Sequence, residues 1–305
     1  MNLLTLLFNI CCLATFTACQ TNTQKHNKKL NIVCTTGMIA DGIKNIALDS
    51  AHITALMGEG VDPHLYKATT GDLEKLYNAD IIFYNGLHLE GRMIQVLEKL
   101  GRLKPVIPIA NGIAETGLII VDSASHTHDP HIWFDVKNWS FALRYASTQL
   151  QKYDSLDAEY YEKNTKKYLQ NLLQLDSIVE QKISQIPGNQ RLLITSHDAF
   201  SYFGKRYHIE VRGLQGISTA ADFGLRDISD LVKIIVARKI RAIFVETSVS
   251  EKSIDAVVIG CKAKGHEVII GGHLYTDAMG ASGTLAGTYI GMMQANVKMI
   301  TEGLK

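Results

Sequence analysis

From residue 30 onward, short runs rich in Val, Ile and Leu alternate with longer stretches in which apolar residues recur every three or four positions. The runs are Leu30 to Cys34, His52 to Met57, Asp80 to Tyr84 and Pro105 to Ile109 in the first half. In the second half they are Arg191 to Thr195, His208 to Arg212, Arg241 to Val245 and Glu267 to Ile270. Near-continuous runs of strand length separated by helical periods predict parallel sheets covered by helices on both faces. The expected fold class is α/β, with two lobes, each a roughly four-stranded, mainly parallel sheet with flanking helices.

Between the lobes the pattern changes. Asp157 to Ile186 contains no glycine or proline, places Tyr161, Tyr168, Leu172, Leu175, Val179 and Ile183 on one stripe, and carries Glu159/Lys163 and Glu162/Lys166 pairs one turn apart. Pro187-Gly188 ends it. Such a helix is roughly 45 Å long and runs the height of the molecule. A single continuous helix resists bending, so only a small motion of the lobes is expected. The organisation expected is an N-terminal α/β lobe over 30–154, a linking helix over 155–187 and a C-terminal α/β lobe over 188–305.

The first residues differ again. Residues 1–18 are apolar, too short and too broken by Asn9 and threonines to span a bilayer comfortably, and read as a signal peptide. The Ala18-Cys19 junction is similar to the lipobox of bacterial lipoproteins, in which the cysteine becomes the lipidated first residue; the alternative is a plain secretory signal. Residues 19–29 then form a lipid-anchored polar tether to the membrane. With 305 residues, 46% hydrophobic and a formal charge of +1, the chain has no basic stripe to invite nucleic acid. Cys34 and Cys261 lie in apolar segments without metal-type spacing and read as small buried hydrophobes.

Candidate chemistry sits in the loops. Asp-Pro-His occurs twice, as Asp62-Pro63-His64 and Asp129-Pro130-His131, in a chain with only five prolines. Proline fixes its own φ and biases its predecessor to extended geometry, so each tripeptide presents an imidazole from a stiff loop. His197 and Asp277 also follow apolar runs. Open α/β sheets gather ligands at the carboxyl ends of their strands, which places two of these residues on each lobe and a metal site in the cleft between them. Three imidazoles and one carboxylate make a site for a divalent transition metal, the nitrogens suiting Zn²⁺ and Mn²⁺ preferring more oxygen. Glu246 ends an apolar run, where it either orients a ligand imidazole or caps the helix around Ser250 to Cys261. His26, His52, His88, His208, His266 and His273 are read as surface or structural residues, and Met279, Met292, Met293 and Met299 as core filler. His126 and His128 are either a solvated loop or a loose metal collector.

Taken in order, Thr35 to Asp41, Gly60 to Tyr66, Tyr84 to Glu90, Asp129 to Asp135 (DPHIWFD), Thr195 to Phe203 (TSHDAFSYF), Gly213 to Thr219 (GLQGIST), Phe244 to Ser248 and Leu274 to Gly280 (LYTDAMG) are spread along nearly the whole mature chain. This series resembles the TroA-like helical-backbone metal receptors, the substrate-binding proteins of zinc and manganese ABC importers. The resemblance implies metal coordination by His64, His131, His197 and Asp277 and delivery to a cognate ABC permease. It also implies a bacterial cell-envelope, extracytoplasmic location. No Walker-type loop is present, so the ATPase is a separate subunit. The expectation is a receptor and not an enzyme. The rivals are a metal-dependent hydrolase, for which no His-Glu-x-x-His helix is present, and a surface adhesin, a role described for surface lipoproteins of this family.

Overall fold

The structure, a computed structural model, describes residues 29–305 apart from 125 and 222; Cys19 and the proposed signal and lipid-bearing segments lie outside the described residues. In the first half, β1 (Leu30–Cys34), β2 (Ala51–Ala55), β3 (Ile81–Tyr84) and β4 (Val106–Pro108) form one parallel sheet in the order β2-β1-β3-β4. Parallel neighbours require crossovers, supplied by α1 (Gly37–Ala47), α2 (Thr70–Asn78) and α3 (Ile94–Gly101). Alternation along β1 sends Ile32 and Cys34 to one face and Val33 to the other, where it meets Leu76 of α2 and Leu97 of α3. Two short strands, β5 (Ile120–Asp122) and β6 (Thr127–His128), then make an antiparallel hairpin whose exposed Ile120 and Val121 give no alternation long enough to read from sequence.

Two helices follow, α4 (Val136–Tyr153) and α5 (Ala158–Ser184). Asp135 caps α4 by accepting from the backbone N–H groups of Lys137 and Asn138. With 27 residues, α5 is about 40 Å long, a turn shorter in all than the breaker-free stretch suggests. Every apolar residue expected on its stripe is buried, together with Thr165 and Asp176. The helix is pinned on both sides. Asn164 Nδ2 donates to the Ile46 carbonyl (3.0 Å) and Tyr168 Oη to Asp41 (3.1 Å) in the first half. Asp176 accepts from Tyr207 Oη (2.9 Å) and pairs with Arg206 in the second.

The second half contains β7 (Leu192–His197), α6 (Ser201–Tyr207), β8 (Glu210–Gln215), α7 (Leu225–Arg238), β9 (Ala242–Glu246), α8 (Lys252–Ala263), β10 (Ile269–Leu274) and α9 (Tyr289–Leu304). Its strands pair in parallel as β7-β8 and β9-β10, with β7 beside β9. One continuous apolar core runs from Ile32 in β1 through Trp139, Leu172 and Phe200 to Leu304 in α9, and the buried stripe of α5 is part of it. Cys34 and Cys261 are buried and unbridged, and Met292 and Met293 are fully buried core residues.

Candidate metal centre

The sheets deliver their strand ends to one place. His64 lies in the loop after β2, His197 is the last residue of β7, and Asp277 follows β10 by three residues. His131 comes after β6 and opens the short 3-10 turn Ile132–Phe134 that leads into α4. All four side chains are buried, and one ligand atom from each lies within 4.8 Å of every other. The Nε2 atom of His131 is 3.2 Å from that of His64 and 3.3 Å from that of His197. Asp277 Oδ1 is 3.4 Å from His131 Nε2, while its Oδ2 is 3.5 Å from His197 Nε2 and 3.9 Å from His64 Nε2. Nitrogen ligands at the usual Zn–N distance of about 2.0–2.1 Å on tetrahedral corners are about 3.3 Å apart, so these separations suit a small divalent ion.

Hydrogen bonding decides which nitrogens face inward. His131 Nδ1 is 2.7 Å from Asp129 Oδ1, and His197 Nδ1 meets Glu246 Oε2 in a short contact. An imidazole that donates from Nδ1 to a carboxylate keeps its Nε2 lone pair for the cleft. Among the described residues neither oxygen of Asp277 finds a partner in hydrogen-bond geometry, although the residue is only 2% exposed. Buried lone pairs converging on a buried, unpartnered carboxylate require positive charge, whether protons or a metal ion.

The titration behaviour follows. Burial pushes His64 down to about 4, with Asp277 opposing and the two neighbouring imidazoles assisting. Burial also disfavours charge on His131, but the Asp129 and Asp277 carboxylates overcome it and lift the group to about 10. His197 moves upward for the same reason: burial opposes, while Glu246 and Asp277 prevail. Burial raises Asp277, yet the surrounding imidazoles win and hold its carboxyl well below the usual carboxylate range.

Glu246 turns its carboxylate on His197, accepting also from the His197 backbone N–H (2.8 Å) and Thr276 Oγ1 (3.1 Å), and leaves α8 without a side-chain cap. Three residues around the site escape sequence reasoning. Asp129 backs His131; the signal was its place two residues earlier, where an Asx turn folds its carboxylate onto the following N–H and ring. Trp133 donates from Nε1 to the Thr276 carbonyl (3.0 Å) and packs edge-on against the His131 ring, joining the two halves beside Asp277. Tyr202 Oη donates to the Asp129 carbonyl (2.9 Å).

The other histidines of the described residues stand outside this cluster. His88 is exposed in a left-handed turn (φ 63°), His273 pairs with Glu251 at 3.2 Å, and His266 bonds the Ile240 carbonyl. His126 is exposed, and His128 contacts Glu115 at 2.7 Å.

Comparison with known proteins agrees with this architecture. The chain is 47% identical over 296 residues, 96% of each chain, to the manganese-binding lipoprotein MntA of Bacillus subtilis (strain 168). Identity to the zinc-binding protein TroA of Treponema pallidum (strain Nichols) is 44% over 273 residues, 90% of this chain and 88% of that one. The solved structure of periplasmic TroA superposes with a TM-score of 0.88 at 43% identity, covering 91% of this chain and 99% of that one. The family model described as zinc-uptake complex component A, periplasmic, matches residues 32–303, and the chain belongs to that family.

Proposed function

We propose that the protein is the extracytoplasmic substrate-binding receptor of an ABC importer. It captures a divalent transition metal, Zn²⁺ or Mn²⁺, between the lobes and delivers it to a membrane permease powered by a separate ATPase. In this reading His64, His131, His197 and Asp277 hold the ion, and Asp129 and Glu246 orient two of the imidazoles. The observation that carries it is the convergence of three Nε2 atoms on a buried carboxylate that accepts no hydrogen bond from the described residues. Binding fits better than hydrolysis: a catalytic metal keeps a position open for water, whereas four protein ligands with a carboxylate able to bind through both oxygens fill the ion's coordination.

The chain divides, on this reading, into a signal peptide (1–18), a tether lipidated at Cys19 (19–29), an N-terminal lobe (30–154), the linking helix (155–187) and a C-terminal lobe (188–305). The lipoprotein name of the Bacillus relative supports the anchor.

Titration of residues 20–305 with Zn²⁺ and Mn²⁺ tests the function. One ion per chain is expected, with zinc the tighter because nitrogen-rich sites follow the rise in affinity from Mn²⁺ towards Cu²⁺. Two or more tight sites, or no uptake of either ion, would count against it. Replacing Cys19 by Ser is expected to release the protein from membranes; persistent membrane association of the full-length chain would make residues 1–18 a simple anchor.

A further inference from the structure

Loop 58–66 carries His64 and faces the second half of the molecule across the cleft. Within the loop, Asp62 Oδ1 accepts from the His64 backbone N–H at 2.8 Å. Its other oxygen, Oδ2, accepts from Thr219 Oγ1 at 2.6 Å. Thr219 belongs to the opposite half, in the 216–224 segment between β8 and α7. Among the described residues this is the one hydrogen bond, outside the imidazole cluster itself, that joins loop 58–66 to the second half. Tyr66 Oη donates to Asp72 at 2.6 Å, but that bond stays within the first half. Leu65 and Phe223, both more than a third exposed, flank Asp62 and Thr219 around a cavity of about 250 Å³ at the same place, so the bond lies on the open side of the site.

We infer that the Thr219–Asp62 hydrogen bond is a latch across the cleft that sets how long a bound ion is retained, with both residues acting as positioning residues for His64. The inference rests on the proposed metal-receptor reading. One carboxylate performs two tasks: Oδ1 shapes the turn that presents His64, and Oδ2 ties that turn to the far lobe. For His64 to withdraw from an ion, its loop has to move outward, and that movement breaks the Thr219 bond first. A neutral hydroxyl bonded to a carboxylate is among the stronger side-chain hydrogen bonds, so its loss shows in the rate of release more than in the rate of capture.

The test is stopped-flow release of Zn²⁺ into excess chelating dye from the wild type, Thr219→Val, Thr219→Ala and Thr219→Ser. Both variants lacking the hydroxyl are expected to load one ion, to melt like the wild type when metal-free, and to release Zn²⁺ about tenfold faster with little change in association rate. Thr219→Ser, which keeps the hydroxyl, is expected to release at the wild-type rate. Normally loaded Val and Ala variants that release no faster than the wild type overturn the latch alone, as does a Ser variant as fast as Val. A wild-type chain that takes up no Zn²⁺ overturns the latch together with the reading beneath it.

Discussion

The two copies of Asp-Pro-His are the same tripeptide in different surroundings, and their anchoring differs accordingly. In both, the aspartate accepts from the histidine backbone N–H, at 2.8 Å for Asp62 and 2.9 Å for Asp129. There the likeness ends. Asp129 is fully buried and also takes the ring Nδ1 of His131. Its loop is tied further by Asn85 Nδ2 to the Pro130 carbonyl (2.9 Å), by Tyr202, and by Tyr289 Oη to the Trp133 carbonyl (2.7 Å). Asp62 is half-buried and turns its spare oxygen to Thr219, and no carboxylate among the described residues backs His64 Nδ1. A tripeptide thus fixes the local turn, while tertiary packing decides whether the imidazole is a rigid wall of the site or a movable one.

The largest test of this contrast removes each imidazole. His131→Ala is expected to abolish the stabilisation conferred by Zn²⁺, which for a tight single site is about 4 kcal/mol at a thousandfold excess over Kd. His64→Ala is expected to retain part of it, because His131 and His197, each backed by a carboxylate, remain with Asp277. Thermal melts with and without Zn²⁺ measure both, and equal losses would erase the distinction. The next effect is smaller. Asp129→Asn leaves an acceptor for the backbone N–H but weakens the hold on His131 Nδ1, and about a 10- to 100-fold loss of affinity is expected. Asp62→Asn keeps a carbonyl for His64 and an amide that can donate to Thr219, so its affinity is expected to stay close to the wild type in competition titrations.

Proton competition separates the same two residues. A metal ligand must give up its proton, and His131 in the metal-free site holds one up to about pH 10, whereas His64 holds one only below about pH 4. Metal affinity is therefore expected to rise with pH through the neutral range, about tenfold per unit for each proton displaced, with His131 and His197 as the source. For folding of the metal-free protein the signs are opposite for the two groups. The raised His131 contributes stability that is full below about pH 6.5 and fades as pH climbs towards 10. The depressed His64 subtracts stability as pH falls from about 6.5 towards 4. Calorimetric titrations in buffers of different ionisation enthalpy count the protons; no proton release at pH 7 would place the neutral form of His131 in the apo site.

What the sequence disclosed, and what it withheld, divides along local and non-local lines. The eight principal strands and the α5 stripe were legible because apolar periodicity and the absence of Gly and Pro are local properties. His64, His131, His197 and Asp277 could be singled out because proline-preceded histidines and strand-end polar residues stand against the apolar runs. That their ligand atoms lie within 4.8 Å of one another is a product of the fold. Trp133 reaching Thr276 spans 143 positions and Thr219 reaching Asp62 spans 157, and nothing in either segment announces its partner. Glu246 left two readings open from sequence, since a carboxylate at a strand end can cap a helix or orient a ring; packing of β7 beside β9 chose the ring.

The smallest expected effect concerns the molecule as a whole. If His131 is a fixed wall and His64 the movable one, loading the site requires displacement of loop 58–66 and little rotation of the lobes. The linking helix α5 enforces this: it is pinned to the first half through Asn164 and Tyr168 and to the second through Asp176, and its buried stripe belongs to the core both halves share. Hinging the lobes apart would break these bonds and expose that core, at roughly 25 cal/mol for each Å² of apolar surface uncovered. A folded chain of this size has a radius of gyration of roughly 19 Å, and the change on adding Zn²⁺ is expected to stay below about 1 Å. Solution scattering of metal-free and loaded protein measures it directly, and amide exchange should then report protection confined to the His64 loop and the Thr219 segment opposite. A compaction of several Å would instead make the halves the moving parts and leave the two tripeptides equally fixed within them.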